Sequence, residues 1–466
     1  MDQRLKIALL LIAFLLVGSV MGFGPRDERV RRHFSHIQMA YQEGDLGAAA
    51  DHLAAAAEYL PYRPGLWETA GHYAYRADEL ETARKFFERA HSRDVLSRRG
   101  TLTLGDIYYE LNDVDLALAM WAQEPDSPQA ARRRAELQQS LGRYPAAVQS
   151  WEKYLSLVDE ADPGVHYSLG LLLTAFEPVD ALPHLNRAAR AFPPADTLRR
   201  TVGEVVDQEP AYRLVVAGQG LAAIDRWALA AVAFETALDL RPDYAEAWAY
   251  WGEALQHVPG EEHDPLLALE HALELSPDSA LPHMFLGTYW QRQDDHKQAL
   301  GYFQKAAELS PENPDVYVEL GKSKAVMGNL EQALKQYQEA IRIQPDSADY
   351  HRLLAQFCVN FHFRVKEEGL PAARRAVELS GDSPHSLLVM GRVLSEVGDI
   401  QNAKKFYIRA LEQDPGFPSA HLQLGITYLN LDQKDLAETH LKTVLQLDAS
   451  PVLKKQAQAI LSTFTP

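Results

Sequence analysis

Apolar and small residues recur along most of the chain at the spacing of one helix face. In residues 299–310, Ala299, Phe303 and Ala306 are three and four residues apart, which places them on one side of an α-helix. Pro311 follows this segment and ends the predicted helix, because a proline ring clashes with a continuing helical turn. No sustained alternation of period two occurs from residue 25 onward, so the pattern predicts an all-α protein.

A glycine or another small residue returns at a nearly constant interval. Starting from Gly321, the equivalent position occurs twelve times, and six of the eleven steps are 34 residues long. Self-similarity with this period indicates a repeat protein. The twelve positions, called crossing residues below, are Ile37, Gly71, Gly105, Ala135, Gly170, Gly218, Gly252, Gly287, Gly321, Ala355, Gly391 and Gly425.

Each repeat predicts two antiparallel helices, A and B. Twelve residues after most crossing residues comes a small residue, four further on a large one, and three beyond that often Ala. A small crossing residue lets the two helices approach closely, and the large residue fills the gap between neighbouring pairs. Turns such as Gly328-Asn329 close helix A through a left-handed cap, and a proline ends helix B.

This pattern resembles the tetratricopeptide repeat family, whose generic signature is W-x2-L-G-x2-Y, then A-x3-F, then P. Residues 66–75 (LWETAGHYAY) match helix A, and residues 299–311 and 333–345 match helix B almost fully. The resemblance covers residues 35–449. It implies a right-handed α-solenoid superhelix of about twelve helix pairs that serves binding or scaffolding.

Breaks in the period divide the chain. The step from Gly170 to Gly218 is 48 residues, which leaves room for one extra helix between Pro194 and Pro210. That helix either shifts the phase of the repeats or acts as a hinge. The predicted segments are an N-terminal membrane anchor or signal segment with a basic flank (1–34), an N-terminal array (35–192), a spacer helix (193–210), a C-terminal array (211–449) and a capping helix (450–466).

Residues 7–24 form an uncharged apolar run of 18 residues, with Arg4 and Lys6 before it. As a helix this run reaches about 27 Å, close to the thickness of the hydrocarbon core. A retained single-span anchor fits this length better than a cleaved signal peptide, which remains the alternative. The short basic tail favours an extracytoplasmic body, whereas four arginines after the run favour the cytoplasm. We predict a single-pass membrane protein with an extracytoplasmic body.

Charge and cysteine content exclude several classes of function. The formal net charge is -18, and residues 36–466 carry 40 basic and 61 acidic side chains. Such an acidic body repels phosphate backbones, so we expect no nucleic-acid partner. Cys358 is the single cysteine, which excludes an intrachain disulfide framework, a CxxC pair and a multi-cysteine zinc site. We expect Cys358 to be an apolar filler.

Catalytic motifs are absent from the sequence. There is no HExxH, no GxSxG, no Walker loop and no glycine-rich dinucleotide loop after a strand. The best metal candidate is the loop that carries His257, Glu261, Glu262, His263 and His271, but its spacing does not place these side chains on one face. We therefore predict no catalytic residue, no metal and no cofactor, and conclude that the chain is not an enzyme.

Family resemblance implies that a partner lies in the concave groove lined by helix A. One helical turn on either side of each crossing residue supplies this surface. Chaperone-binding members hold a peptide carboxylate with Lys and Asn there, and Val318 and Glu319 beside Lys322 argue against such a receptor. The predicted groove residues are Glu253, Gln256, Met284, Thr288, Gln291, Val318, Lys322, Arg352, Gln356, Leu388, Arg392, Leu422 and Ile426.

The sequence thus predicts a membrane-tethered scaffold or adaptor that binds a protein or peptide partner in this groove. Its expected role is assistance in assembling an envelope complex, such as secretion, pilus or surface-polysaccharide machinery. The alternative is a non-catalytic recognition or regulatory arm of a glycosyltransferase or polysaccharide synthase system whose enzyme is a separate chain.

Overall fold

The computed structural model describes residues 28–160, 162–258, 260, 263–447 and 449–463. In these residues the chain forms 26 α-helices and one π-helical turn, without a β-strand, which confirms the predicted all-α class. The predicted membrane segment, residues 7–24, lies outside the described residues. Among the helices that are described, none is both long and apolar enough to cross a membrane.

Helix bounds follow the predicted repeat. They are α1 (Glu28–Glu43), α2 (Leu46–Tyr59), α3 (Gly65–Arg76), α4 (Leu80–His91), α5 (Arg98–Glu110), α6 (Val114–Ala122), α7 (Pro128–Ser140), α8 (Tyr144–Leu157), α9 (Pro163–Phe176), α10 (Pro178–Ala188), α11 (Pro193–Gly203), α12 (Pro210–Ala223), α13 (Trp227–Leu240), α14 (Ala245–Leu255), α15 (Pro265–Leu275), α16 (Ala280–Arg292), α17 (His296–Leu309), α18 (Pro314–Val326), α19 (Leu330–Ile343), α20 (Ala348–Asn360), α21 (Leu370–Ser380), α22 (Pro384–Glu396), α23 (Ile400–Gln413), α24 (Pro418–Asn430), α25 (Lys434–Gln446) and α26 (Pro451–Leu461). Among α1–α10, the odd-numbered helices are helices A and the even-numbered ones are helices B. Among α12–α25, the even-numbered helices are helices A and the odd-numbered ones are helices B.

Close helix crossings explain the recurrent glycines. Gly287 in α16 faces the ring of Phe303 in α17, and a Cβ on Gly287 would lie 2.5 Å from that ring. Gly391 in α22 faces Tyr407 in α23, where a Cβ would lie 2.4 Å away. Both rings are fully buried. A larger side chain at either crossing residue would force the two helices apart, so the pattern reflects steric fit.

A second recurrent contact joins neighbouring repeats in the C-terminal part of the chain. The side chain four residues before the crossing residue donates a hydrogen bond to the carbonyl of the proline that follows the preceding helix B. This bond satisfies a carbonyl beyond the helix end and fixes the turn into the next helix A. The pairs are Trp248 with Pro242 (2.8 Å), His283 with Pro277 (3.2 Å), Tyr317 with Pro311 (3.1 Å), His351 with Pro345 (2.9 Å) and His421 with Pro415 (3.0 Å).

The chain divides into two compact units. The first unit runs to Leu173 and includes Val179–Arg200, and the second comprises Thr174–Pro178 and the chain from Thr201 onward. Residues 193–210, predicted as a spacer helix, contain α11, which ends at Gly203. At the C-terminus, α26 packs on α25 and buries Ala457.

An irregular turn follows α20. His362 and Arg364 adopt left-handed backbone conformations with φ of 50° and 47°, and a π-helical turn spans Val365–Gly369. This turn accommodates the two residues by which the repeat exceeds the usual period. A Cβ on Gly369 would lie 2.9 Å from the Cβ of Cys358, which is fully buried. Burial raises the pKa of the Cys358 thiol to about 12, consistent with an apolar filler.

Candidate functional site

Helices A of the second unit carry twelve of the thirteen predicted groove residues, and Gln256 caps the C-terminus of α14. Eleven of the thirteen are partly buried or exposed. Val318 and Leu422 retain exposures of 3% and 2% and pack inside hydrophobic clusters. These two side chains therefore belong to the core beneath the surface. The partly buried apolar members, which pack against the same or neighbouring clusters, are Met284, Leu388 and Ile426.

Glu253 is the centre of a polar network between α14 and α16. Its side chain is 12% exposed and accepts two hydrogen bonds from the Arg292 guanidinium, at 2.7 and 3.1 Å. Thr288 Oγ1 and Gln256 Nε2 also donate to this carboxylate, at 3.2 and 2.9 Å. Arg292 donates a further bond of 2.7 Å to Gln256 Oε1. The network links two consecutive helices A, because its residues lie one repeat apart in the sequence.

His257 extends this network toward α13. Its Nε2 lies 3.1 Å from Arg292 Nη2 and 3.3 Å from Glu253 Oε1. The imidazole stacks on the Trp227 indole, with ring centroids 3.7 Å apart and planes 8° from parallel. His257 is therefore held in place by packing as well as by polar contacts.

The metal candidate of the sequence is not assembled in the described part of its loop. His263 packs against Trp251, with centroids 5.0 Å apart, and His271 packs edge-on against Trp248 at 4.7 Å. Glu261 and Glu262 lie outside the described residues. Among the residues that are described, no group of three or more His, Cys, Asp or Glu side chains is placed to hold a metal ion.

Cations on the next two helices A are paired with carboxylates of their own helix. Lys322 Nζ donates to Glu319 Oε1 at 2.6 Å, and Arg352 Nη2 donates to Asp349 Oδ1 at 2.9 Å. Each carboxylate neutralises the positive charge of the groove cation beside it. Exposed pairs of this kind add little stability, since water screens them.

Two further polar contacts connect neighbouring helices A. Gln291 Nε2 donates to the buried Ser323 Oγ at 3.1 Å, which joins α16 to α18. Arg392 Nη2 donates to Asn360 Oδ1 at 2.8 Å, which joins α22 to α20. Burial lowers the pKa of the Arg392 guanidinium, and the charges of Tyr407 and Glu396 act in the opposite direction.

Two further polar side chains, His362 and Gln356, belong to α20 and the turn that follows it. His362 Nδ1 lies 2.5 Å from Glu396 Oε1 at the irregular turn after α20. Gln356 is partly buried on α20. The surface combines apolar side chains with polar groups, most of which already form a hydrogen bond with a neighbouring side chain. Such a surface suits a polypeptide segment that offers both apolar side chains and backbone polar groups.

The sequence reasoning missed a cavity on the helix A side of the first unit. A cavity of about 490 Å³ lies between α7 and α9, with the Trp151 indole donating to Gln139 Oε1 at 3.3 Å beside it. Arg132 and Glu136 lie three residues before and one residue after the crossing residue Ala135. Val318 and Lys322 were assigned to the groove because they lie three residues before and one residue after Gly321. The same rule applied to Ala135 selects Arg132 and Glu136. The lining residues are Arg132, Glu136, Gln139, Ser140, Trp151, Asp162, Gly164, Val165 and Ser168.

Comparisons with known proteins identify the repeat. Two tetratricopeptide repeat family models match the chain, one over residues 291–357 and 369–461 and the other over residues 102–166. No curated protein matches the chain. Over these segments the chain is similar to tetratricopeptide repeats, and the segments include the helix B motifs at residues 299–311 and 333–345.

Several solved structures resemble the chain at low sequence identity. Yeast Tom70 is 16% identical over 87% of this chain and 96% of its own, with a TM-score of 0.46. The APC/C hetero-tetramer Cut9-Hcn1 is 13% identical over 95% of this chain and 98% of that one, with a TM-score of 0.36. YrrB, described as having an unusual peptide-binding site, is 23% identical over 41% of this chain and 98% of its own, with a TM-score of 0.31.

Proposed function

We propose that this tetratricopeptide repeat chain is a membrane-tethered scaffold that binds a protein or peptide partner along helices A of its second unit. The observation that carries the proposal is the Glu253 network, which fixes Arg292, Thr288 and Gln256 before any partner arrives. Side chains that are already ordered lose little conformational entropy on binding. The chain acts without catalysis, and its role is to assist assembly of an envelope complex.

The partner contacts that we propose are apolar and neutral polar. Met284, Leu388 and Ile426 are partly buried and offer apolar area between the polar groups. Lys322 and Arg352 keep their own carboxylate partners, so a partner gains little from added acidic residues. Binding is therefore expected to depend weakly on salt, because few uncompensated charges take part.

Partner capture from intact cells tests the surface directly. Met284→Asp and Leu388→Asp each place a charge between the polar groups of the helix A surface, and both are expected to reduce the captured partner by about tenfold or more. Leu436→Asp is the control. Leu436 is a leucine that is 47% exposed on α25, a helix B, and it therefore lies off the helix A surface. If all three variants captured the partner equally well, the partner would not bind at the helix A surface.

The membrane tether rests on the apolar run of residues 7–24. Deletion of residues 1–24 is expected to move the protein to the soluble fraction with its helical circular dichroism unchanged. Protease added to spheroplasts is expected to cleave the body of the full-length chain, since we place that body outside the cytoplasm. A truncated protein that stays with membranes, or a body protected from protease, contradicts the tether or its orientation respectively.

A further inference from the structure

In the part of the chain that the structure describes, three repeats contain a pair of histidines that face each other across helices A and B. One histidine lies four residues before the crossing residue, and the other lies one residue before the large residue of helix B. In each pair the two Nδ1 atoms are within hydrogen-bond distance. The pairs are His33 with His52 (3.3 Å), His166 with His184 (3.0 Å) and His421 with His440 (2.8 Å).

The last pair has a defined hydrogen-bond pattern. His421 Nε2 lies 3.0 Å from the Pro415 carbonyl, to which a ring N–H must donate. In the neutral ring, Nδ1 of His421 therefore has no proton and accepts the bond from His440 Nδ1–H. A second proton on this pair would place two N–H groups against each other at 2.8 Å. Two separated histidines can each bind an additional proton, whereas the closed pair can bind only one additional proton in total.

Few other charges face the last pair. Burial, and after it the charge of His421, lowers the pKa of His440 from its ordinary value. Tyr428 of α24 stacks on His440 with centroids 5.6 Å apart, and Lys404 of α23 lies 5.8 Å from the Tyr428 centroid. Burial and the neighbouring His421 imidazole therefore oppose protonation of His440.

Between α9 and α10, the middle pair also has a cation beside it. Burial, then His166 and Arg187, lower the pKa of His184. Burial, then Arg187, lower the pKa of His166, and Asp162 acts in the opposite direction. Arg187 thus disfavours protonation of both rings.

The first pair belongs to a cluster of three histidines. His36 follows His33 by one helical turn on α1, and its ring lies 4.9 Å from that of His52 on α2. Burial, then His36 and His33, lower the pKa of His52, and Asp51 acts in the opposite direction. Three protonated imidazoles at this spacing would repel one another.

Other described repeats place different side chains at the same two positions. The second repeat has Trp67 and Phe86 there, with centroids 5.8 Å apart. Another repeat has His283 and Tyr302, with centroids 6.2 Å apart. Neither pair holds two basic rings. The histidine pairs instead occupy the first repeat, the last repeat before α11 and the last repeat before α26.

We propose that the histidine pairs make these three repeats open as the pH falls, while repeats without such a pair stay closed. Opening of one helix pair costs less free energy than unfolding of the whole array. Separated histidines are half protonated at their ordinary pKa of 6.5 and almost fully protonated about one pH unit below it. Because the closed pair binds fewer protons, its stability is intact above pH 6.5 and is lost as the pH falls below that value.

Hydrogen exchange measured by mass spectrometry on the full chain tests this proposal. An opened pair binds about one proton at pH 6.5 and close to two at pH 5.5, and the closed pair binds about one fewer, so the opening constant rises about tenfold over this interval. Protection factors of α24 and α25, corrected for intrinsic exchange, are expected to fall by that factor. Those of α16 and α17 serve as the internal reference and are expected to stay constant.

Two variants separate the pair from general acid effects. His440→Tyr recreates the combination of His283 and Tyr302, and is expected to reduce the loss of protection to less than about threefold. The double variant with His421→Leu and His440→Phe recreates Leu387 and Phe406 of the preceding repeat. Circular dichroism at pH 7.5 shows which variants fold, and either one suffices. Unchanged wild-type protection at pH 5.5, or an equal loss in a folded variant, overturns the proposal.

Discussion

Two glycines of one repeat give the most direct test of helix packing. Gly287 is the crossing residue of α16, and a Cβ there would lie 2.5, 2.6 and 2.8 Å from atoms of the Phe303 ring. Gly301 lies in the middle of α17, and a Cβ there would meet no atom within 4 Å. We predict that Gly287→Ala destabilises the protein, whereas Gly301→Ala stabilises it.

The magnitudes follow from two separate effects. Replacing a helical glycine by alanine stabilises the helix by about 0.5–1 kcal/mol, because alanine loses less backbone entropy on folding. This gain applies at both positions. At Gly287 the new methyl group must displace the buried Phe303 ring, and such overpacking costs about 1–3 kcal/mol. The two variants should therefore differ by about 1–3 kcal/mol in unfolding free energy, and the difference reports the steric contact alone.

Urea unfolding followed by circular dichroism measures both variants against the wild type. Equal slopes of free energy against urea would show that the same surface unfolds in each protein. Because repeat arrays sometimes unfold in steps, hydrogen exchange of α16 and α17 is the local check. If Gly287→Ala is as stable as Gly301→Ala, close helix contact is not the reason for glycine at the crossing residue.

Three further outcomes are expected. Tyr317→Phe removes the hydrogen bond to the Pro311 carbonyl, and should lower the unfolding free energy by about 0.5–1.5 kcal/mol in urea titrations. A double-mutant cycle of Glu253→Gln and Arg292→Met should give a coupling of about 1 kcal/mol, since Arg292 is partly exposed; additive effects would contradict the network. Cys358 should resist thiol reagents at pH 8 until the chain unfolds, and rapid labelling of the native protein would contradict its burial.

Much of the fold was predictable because close helix packing requires a small residue at the same position of every repeat, and this requirement produces the period in the sequence. Gly287 and Gly391 are required where two backbones approach closely, so their spacing reports the helix pairs directly. Pro311 and its equivalents end helices B for a local reason that operates within a few residues. Features with local or strictly periodic causes can be inferred from a single sequence.

The candidate surface was predictable in position and less so in detail. A groove assigned by phase alone included Val318 and Leu422, which are buried. A helix face of this width has a boundary that shifts with small rotations of each helix, and the sequence does not fix those rotations. The network of Glu253 and Arg292 also depends on side-chain rotamers across two repeats, to which the pattern of apolar positions is insensitive.

Histidines illustrate a third kind of limit. In the family signature the position of His283 is tryptophan, and a lone histidine there has no obvious role in the sequence. The structure shows that tryptophan, tyrosine and histidine all supply one ring N–H or O–H to the preceding proline carbonyl. The shared property is a hydrogen-bond donor at one position, which a search for apolar periodicity does not register.

Site-specific photo-crosslinking in intact cells tests the central claim, that helices A of the second unit hold the partner. A benzophenone amino acid replaces either Gln356 on α20, which is a helix A, or Lys405 on α23, which is a helix B. Neither side chain is part of the buried core, so neither replacement disrupts it. We predict that the Gln356 position forms one discrete adduct, which Leu388→Asp abolishes, and that the Lys405 position forms none. An adduct from Lys405 alone, or a Gln356 adduct that survives Leu388→Asp, would contradict binding at this surface.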